Sequence, residues 1–108
     1  MTTRRFAGRC AVVTGSGDGI GRAMARRFAA EGAGVIVAEF DRDSGESAAE
    51  EFRVGGGEAR FVATDVTDKA QVMAMMAQAA RAFGGVDILV NNGGGHINGV
   101  AWAPDLGQ

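Results

Sequence analysis

The stretch Thr14-Gly15-Ser16-Gly17-Asp18-Gly19-Ile20-Gly21 constrains this chain more than any other, because a glycine-rich turn sits between an apolar run and an amphipathic segment. Before it, Cys10-Ala11-Val12-Val13 has the length and β-branched content of a buried parallel strand. After it, Ile20, Met24 and Phe28 recur at helical spacing. A strand, a glycine turn and a helix start therefore coincide. Unpaired N–H groups and the positive end of the dipole gather at a helix N-terminus, so the turn reads as a phosphate cradle that needs no lysine. Glycines also serve simply to close tight strand-to-helix connections, and that reading stands beside the first. The spacing narrows the choice. Ile20, Arg22 and Met24 occupy the places where Gly-x-Gly-x-x-Gly or Gly-x4-Gly-Lys-Ser/Thr would need a third glycine or a lysine, leaving Thr-Gly-x3-Gly-x-Gly.

The rest of the chain alternates. Strands are expected at 10–14, 34–38, 59–63 and 86–90, and helices at 19–31, 44–54 and from a cap at Thr67 or Asp68 through Phe83, with Gln71 placed to complete the capping interaction. Such β-α-β-α-β-α-β alternation implies an α/β fold: a doubly wound parallel sheet with right-handed crossovers and spatial strand order 3-2-1-4. Residues 1–95 form this unit, and 96–108 form a glycine-rich and apolar tail in which Trp102 is a candidate anchor. With 108 residues and 46% hydrophobic content, one domain with a modest core is expected. Cys10, the only cysteine, reads as a small core residue. Val72, Met76, Ala79, Ala80 and Phe83 make an apolar helix stripe, so the methionines around it read as packing. Gly32 and Gly34 flank the first helix's end, and Gly55-Gly56-Gly57 follow the second, as left-handed cap candidates. A net charge of −2 gives no footprint for nucleic acid, and no apolar segment is long enough for a membrane span or signal peptide, so a cytoplasmic location is the expectation.

The glycine spacing resembles that of the short-chain dehydrogenase/reductase family, and three further segments match it in order. Ala38-Glu39-Phe40-Asp41 ends the second strand about twenty residues past the glycine loop, where an acid accepts hydrogen bonds from the adenosine ribose; Glu39 is the first candidate and Asp41 the alternative. Asp65-Val66-Thr67-Asp68 is similar to the family's adenine-binding segment, although Asp65 also suits a plain helix cap. Asn91-Asn92-Gly93-Gly94 is close to the family's Asn-Asn-Ala-Gly, with Asn91 toward the adenosine, its neighbour bracing the sheet, and Gly93 in place of alanine. The resemblance implies a dinucleotide site made of Gly15, Ser16, Asp18, Gly19, Ile20, Gly21, Glu39, Asp65, Val66, Asn91 and Gly93, and no metal. A carboxylate at Glu39 repels a 2′-phosphate, and the resemblance adds that Asp18 stands where family members preferring NADP commonly carry a basic residue, which together favour NAD over NADP despite nearby Arg42.

The family's chemistry also uses a serine, a tyrosine, and a lysine four residues after the tyrosine. This chain has no tyrosine, its one lysine is Lys69, and its last serine is Ser47. The resemblance is therefore to the amino-terminal, cofactor-binding half of such an oxidoreductase, and no catalytic residue is assigned. His96 beyond the fourth strand is a weak candidate for proton transfer. Three readings follow: the dinucleotide half of an enzyme that is inactive alone, a pure NAD-binding module, or a structural remnant. Half a sheet leaves the fourth strand without a partner on one edge, so a homo-oligomer covering that edge is expected.

Overall fold

The computed structural model describes residues 5–92 and 100–102. In chain order the elements are β1 (Cys10–Thr14), α1 (Gly19–Ala30), β2 (Gly34–Glu39), α2 (Arg42–Val54), β3 (Glu58–Ala63), α3 (Lys69–Phe83), β4 (Ile88–Val90) and β5 (Val100–Trp102). One sheet in the order β3-β2-β1-β4-β5 holds them. Its first four strands are parallel, with Cys10 opposite Gly34, Gly34 opposite Glu58 and Ala11 opposite Ile88, so the expected 3-2-1-4 order is observed.

Alternation along β1 and β2 divides the core into two layers. Ala11, Val13, Val35 and Val37 pack with Ala25 and Ala29 of α1 and Ala48, Ala49 and Phe52 of α2. Cys10, Val12, Ile36 and Ala38 pack with Met75 and Ala79 of α3. β1 is fully buried, and β2 is buried from Gly34 to Ala38, because each face carries helices. The Cys10 thiol is pushed up to about 11 by burial and by the charge of Asp87, consistent with an inert core residue. Cys10 N–H donates to Asp87 Oδ2 at 2.9 Å and Asp87 N–H donates to the Cys10 carbonyl at 2.9 Å, which fixes the entry into β4.

Several local expectations shift. On α3 the buried line is Met75 and Ala79, flanked by half-buried Val72, Met76 and Phe83, while Ala80 faces solvent. Asp68 is the α3 cap, accepting from Ala70 N–H at 3.0 Å and Gln71 N–H at 3.3 Å, but Gln71 Oε1 accepts from Asp65 N–H, one turn earlier than a capping box would place it. Gly32 has the left-handed backbone expected of it, at φ +98°. Gly34 is instead a strand residue whose missing side chain makes room for Phe83: a Cβ there would lie 2.5 Å from the ring. The fourth strand's outer edge, expected to be bare, is paired antiparallel with β5, Leu89 opposite Trp102 and Val90 opposite Val100. That edge is therefore closed within the chain, and self-association through it would first have to displace β5. Among the described residues no helix is long and apolar enough to cross a membrane.

Two carboxylates lock the helices to their surroundings. Glu31, 5% exposed at the end of α1, accepts from Arg5 at 2.7 and 3.0 Å and also pairs with Arg27. Glu51 of α2 takes Arg22 and Arg26 of α1. The hydrogen bonds from Arg5 and then Arg27 hold Glu31 down at about 2, and those from Arg26 and then Arg22 hold Glu51 down at about 2.

Gly34→Ala should cost about 1–3 kcal/mol in urea unfolding through overpacking, and the cost should shrink in a Phe83→Leu background, since the clash is with that ring. Because Glu31 and Glu51 remain ionised in the folded state where the unfolded chain takes up protons, their contribution is complete above the unfolded carboxylate value of 4.5 and is lost as pH falls toward about 2. Thermal melts across that window should show a falling Tm, and Glu51→Gln should flatten the fall; an equally steep decline in the variant would exclude Glu51 as a source.

Candidate functional site

The site is built on the carboxyl ends of the parallel strands, where a doubly wound sheet opens a crevice beside β1. The chain leaves β1 through Gly15 at φ +63°, and α1 begins at Gly19 with φ +62°, backbone conformations that L side chains rarely adopt. Gly15 N–H donates to the Ala38 carbonyl at 2.8 Å, tying the turn to β2. The Ser16 hydroxyl is fully buried and donates to the Val13 carbonyl at 2.6 Å, so its side chain serves the turn and only its backbone is left for a ligand. At Gly21 a Cβ would lie 2.2 Å from the Gly15 carbonyl oxygen and 2.6 Å from Asn92 Nδ2; the glycine is what lets the first turn of α1 press on the loop.

Asp18 caps α1 with extended backbone and makes no side-chain cap bond, so the first N–H groups of the helix keep their donor capacity. Ile20, expected to begin the buried helix stripe, is 73% exposed at this mouth; the buried face of α1 is Gly21, Ala25 and Ala29. Such an exposed apolar side chain beside free N–H groups suits contact with a ligand better than core packing.

At the end of β2, the Glu39 carboxylate accepts from Gly17 N–H through Oε1 at 2.8 Å and from Asp41 N–H through Oε2 at 3.1 Å. Asp41 itself is spent as the α2 cap, accepting from Asp43 N–H at 3.2 Å, which leaves Glu39 as the acid at the crevice. After β3, Asp65 Oδ1 accepts from the Thr67 N–H at 2.9 Å and hydroxyl at 2.6 Å, and these bonds lower its pKa. The helix-cap alternative for Asp65 is thereby excluded, since Asp68 holds that place. Gly15, Glu39, Phe40, Thr64, Asp65 and Val66 together line a cavity of about 220 Å³. A larger groove of about 760 Å³ runs along the outer side of β3 between α2 and Gln78, away from the glycine turn.

On the opposite side of β1, the Asn92 amide donates to the Gly15 carbonyl at 3.4 Å, and Asn92 N–H donates to Thr14 Oγ1 at 2.8 Å. Asn91 Oδ1 accepts from the Thr14 hydroxyl at 3.2 Å. The brace expected of Asn92 is present, and Asn91 lies with it beside β1, across that strand from Glu39 and Asp65. Gly93, Gly94 and His96 lie outside the described residues. Sequence reasoning passed over Thr14 as a hub, and over Arg22, whose Nη1 donates to the Gly17 carbonyl at 3.1 Å. The threonine at the head of the glycine motif was the available signal for the first.

The model of the short chain dehydrogenase family matches residues 9–105. An uncharacterized oxidoreductase of Thermotoga maritima is 46% identical over 85 residues, 79% of this chain and 33% of that protein. The crystal structure of a hydroxysteroid dehydrogenase from Escherichia coli superposes with a TM-score of 0.81 at 40% identity, over 84% of this chain and 39% of that one. A short chain dehydrogenase/reductase from Burkholderia phymatum, solved in complex with NAD, gives a TM-score of 0.76 at 39% identity over 78% of this chain and 30% of that one. The chain thus spans about a third of the length of the curated relatives it matches. The 3-2-1-4 parallel sheet accords with this likeness, and the chain belongs to the short-chain dehydrogenase family, whose members use nicotinamide dinucleotides.

Proposed function

We propose that these 108 residues are the NAD-binding portion of an oxidoreductase that moves hydride between the cofactor and an alcohol or ketone, with the proton-transfer residues supplied by sequence beyond them. The observation that carries this is the Glu39 carboxylate fixed by Gly17 and Asp41 at the rim of the cavity that Asp65 and Val66 also line. The residues fit the cofactor: Gly15 and Gly19 supply the turn, Gly21 the close approach, and the start of α1 offers free N–H groups for the pyrophosphate. Each Glu39 oxygen already accepts one N–H, yet an ionised carboxylate has about four acceptor positions, so both oxygens can still take ribose hydroxyls. The Thr67 N–H and hydroxyl both bond Oδ1 of the Asp65 carboxylate, which leaves Oδ2 for the amino group of adenine. Val66 flanks the ring in this reading, and Ile20 lies against the cofactor at the mouth of the turn. Asn91 and Gly93 complete the site from the β4 side.

When bound, NAD supplies the hydride acceptor at its nicotinamide ring. The residues of this chain bind and orient. None of the 108 is a tyrosine, and the single lysine, Lys69, is the first residue of α3 beyond Asp65, which supports the reading that the isolated chain holds NAD without turning it over.

Preference for NAD follows from charge. A 2′-phosphate placed on the ribose would meet Glu39, and two like charges about 4 Å apart repel by about 4 kcal/mol at the effective dielectric of a protein surface. Calorimetric titration should therefore show saturable binding of NAD at least about tenfold tighter than of NADP. Glu39→Ala should weaken NAD by about 1–3 kcal/mol and narrow the gap between the two cofactors. Unchanged NAD affinity in the variant would remove Glu39 from the ribose site, and no binding of either dinucleotide to the unsubstituted chain would favour a structural remnant instead.

A further inference from the structure

We infer that Arg22 is a positioning residue for the ribose end of the cofactor site, acting through Gly17 on Glu39; the inference rests on the proposed dinucleotide site. Gly17 is gripped at both of its backbone polar groups. Its N–H donates to Glu39 Oε1 at 2.8 Å and its carbonyl accepts from Arg22 Nη1 at 3.1 Å. Arg22 is itself held from α2: Nε donates to Glu51 Oε1 at 2.9 Å, Nη2 lies 2.9 Å from the same oxygen, and Nη2 donates to Ser47 Oγ at 3.4 Å. A guanidinium is a rigid planar fork, so anchoring two of its nitrogens on α2 dictates where the third can hold the loop carbonyl.

That carbonyl has consequences on both sides. In a trans peptide the N–H points opposite to the C=O, so fixing the Gly17 carbonyl also fixes the direction of the Asp18 N–H at the start of α1. On the other side the loop has little slack against β2 and α2. A Cβ at Gly17 would lie 2.4 Å from Ser44 Oγ and 2.8 Å from Glu39 Oε1. Glycine has the widest backbone freedom of any residue, and a glycine in this place needs external bonds to stay in one conformation. Removing the Arg22 bond frees the carbonyl and lets Gly17 turn away from Glu39. The acid then keeps Asp41 N–H on its other oxygen but loses its fixed orientation toward the cavity.

Arg26 provides the internal contrast. One turn along α1, it bonds the same Glu51 through Nε at 2.5 Å and Nη2 at 3.1 Å, so it joins the same two helices. Its bonds are to Glu51, whereas those of Arg22 continue to the loop. A plain helix-to-helix tie predicts equal effects from the two arginines; a positioning role predicts unequal ones.

The test uses the 108-residue chain with Arg22→Ala and Arg26→Ala, measuring Tm, hydrogen exchange of the Gly17 amide by NMR without ligand, and NAD affinity by calorimetry. Both variants should lose some thermal stability. Only Arg22→Ala should accelerate Gly17 exchange, by about fivefold or more, and raise the Kd for NAD by about fivefold to tenfold, the effect of one lost hydrogen bond of ordinary strength. Arg26→Ala should stay within about twofold of the parent on both readouts. Equal changes in the two variants, or none at Gly17, would overturn the inference and leave Arg22 as a helix tie. If Arg22→Ala does not fold, Arg22→Lys is read in the same way, because an ammonium cannot span Glu51 and the Gly17 carbonyl with a fixed fork. Failure of the parent chain to bind NAD would overturn the cofactor reading and Arg22's part in it, while Gly17 exchange would separately show whether the loop is coupled to Arg22.

Discussion

The close approach of α1 to the Gly15 carbonyl, possible only because residue 21 has no side chain, is the contact on which the rest of the crevice depends. A Cβ would intrude to 2.2 Å from that oxygen, and neither the helix backbone nor the loop backbone can step aside without moving the strand behind it. Gly15 is also where three strands meet. It continues β1, its N–H donates to the Ala38 carbonyl of β2, and its carbonyl accepts from Asn92 just past β4. Widening the gap between α1 and the turn would therefore disturb the ends of β1, β2 and β4 together. Those ends carry Glu39 on one side and Asn91 on the other.

Much of this was legible from sequence because it is local or periodic. Three of the parallel strands are β-branched or alanine-rich runs of five or six residues, and the glycine turn has fixed spacing, so element order and sheet order followed. Glu39 is legible because it ends β2 at a countable distance from the turn, and Asp65 because the segment after β3 resembles the family's adenine-binding one. What escaped depends on residues far apart in the chain. Gly34 looks like a helix cap beside Gly32, but its reason is Phe83, which reaches it only through packing of α3 on the sheet. Arg22 stands in a helix with Arg26 and Arg27, and its role needs Glu51 on another helix. The three residues of β5 are too few to show a period, so sequence alone predicts a bare edge where β5 pairs antiparallel with β4. On α3 the apolar stripe was drawn through Ala80 where the helix turns Met75 inward, a rotation of one position that small alanines on several sides cannot resolve.

Charge decides which way a dinucleotide can lie here. The chain carries a net −2, and both acids at the crevice sit toward β2 and β3, Glu39 and Asp65, around a cavity that Gly15 closes on the β1 side. A pyrophosphate brings its own negative charge and cannot share that cavity with them. The place that welcomes it is the start of α1, where unbonded N–H groups and the positive end of the helix dipole face the turn and where the exposed Asp18 side chain forms no cap that would compete. Hydroxyls and an amino group, which donate to carboxylates, belong over β2 and β3. In the proposed reading, with the sugar and base on that side and the pyrophosphate over β1, the remaining half of the cofactor extends toward β4 and Asn91, which departs from the expectation that Asn91 faces the adenosine. The order of the strands thus segregates the charges along the sheet, and in the proposed reading the same segregation sets the direction of the bound molecule, with the adenosine over β3 and β2 and the reactive ring toward β4.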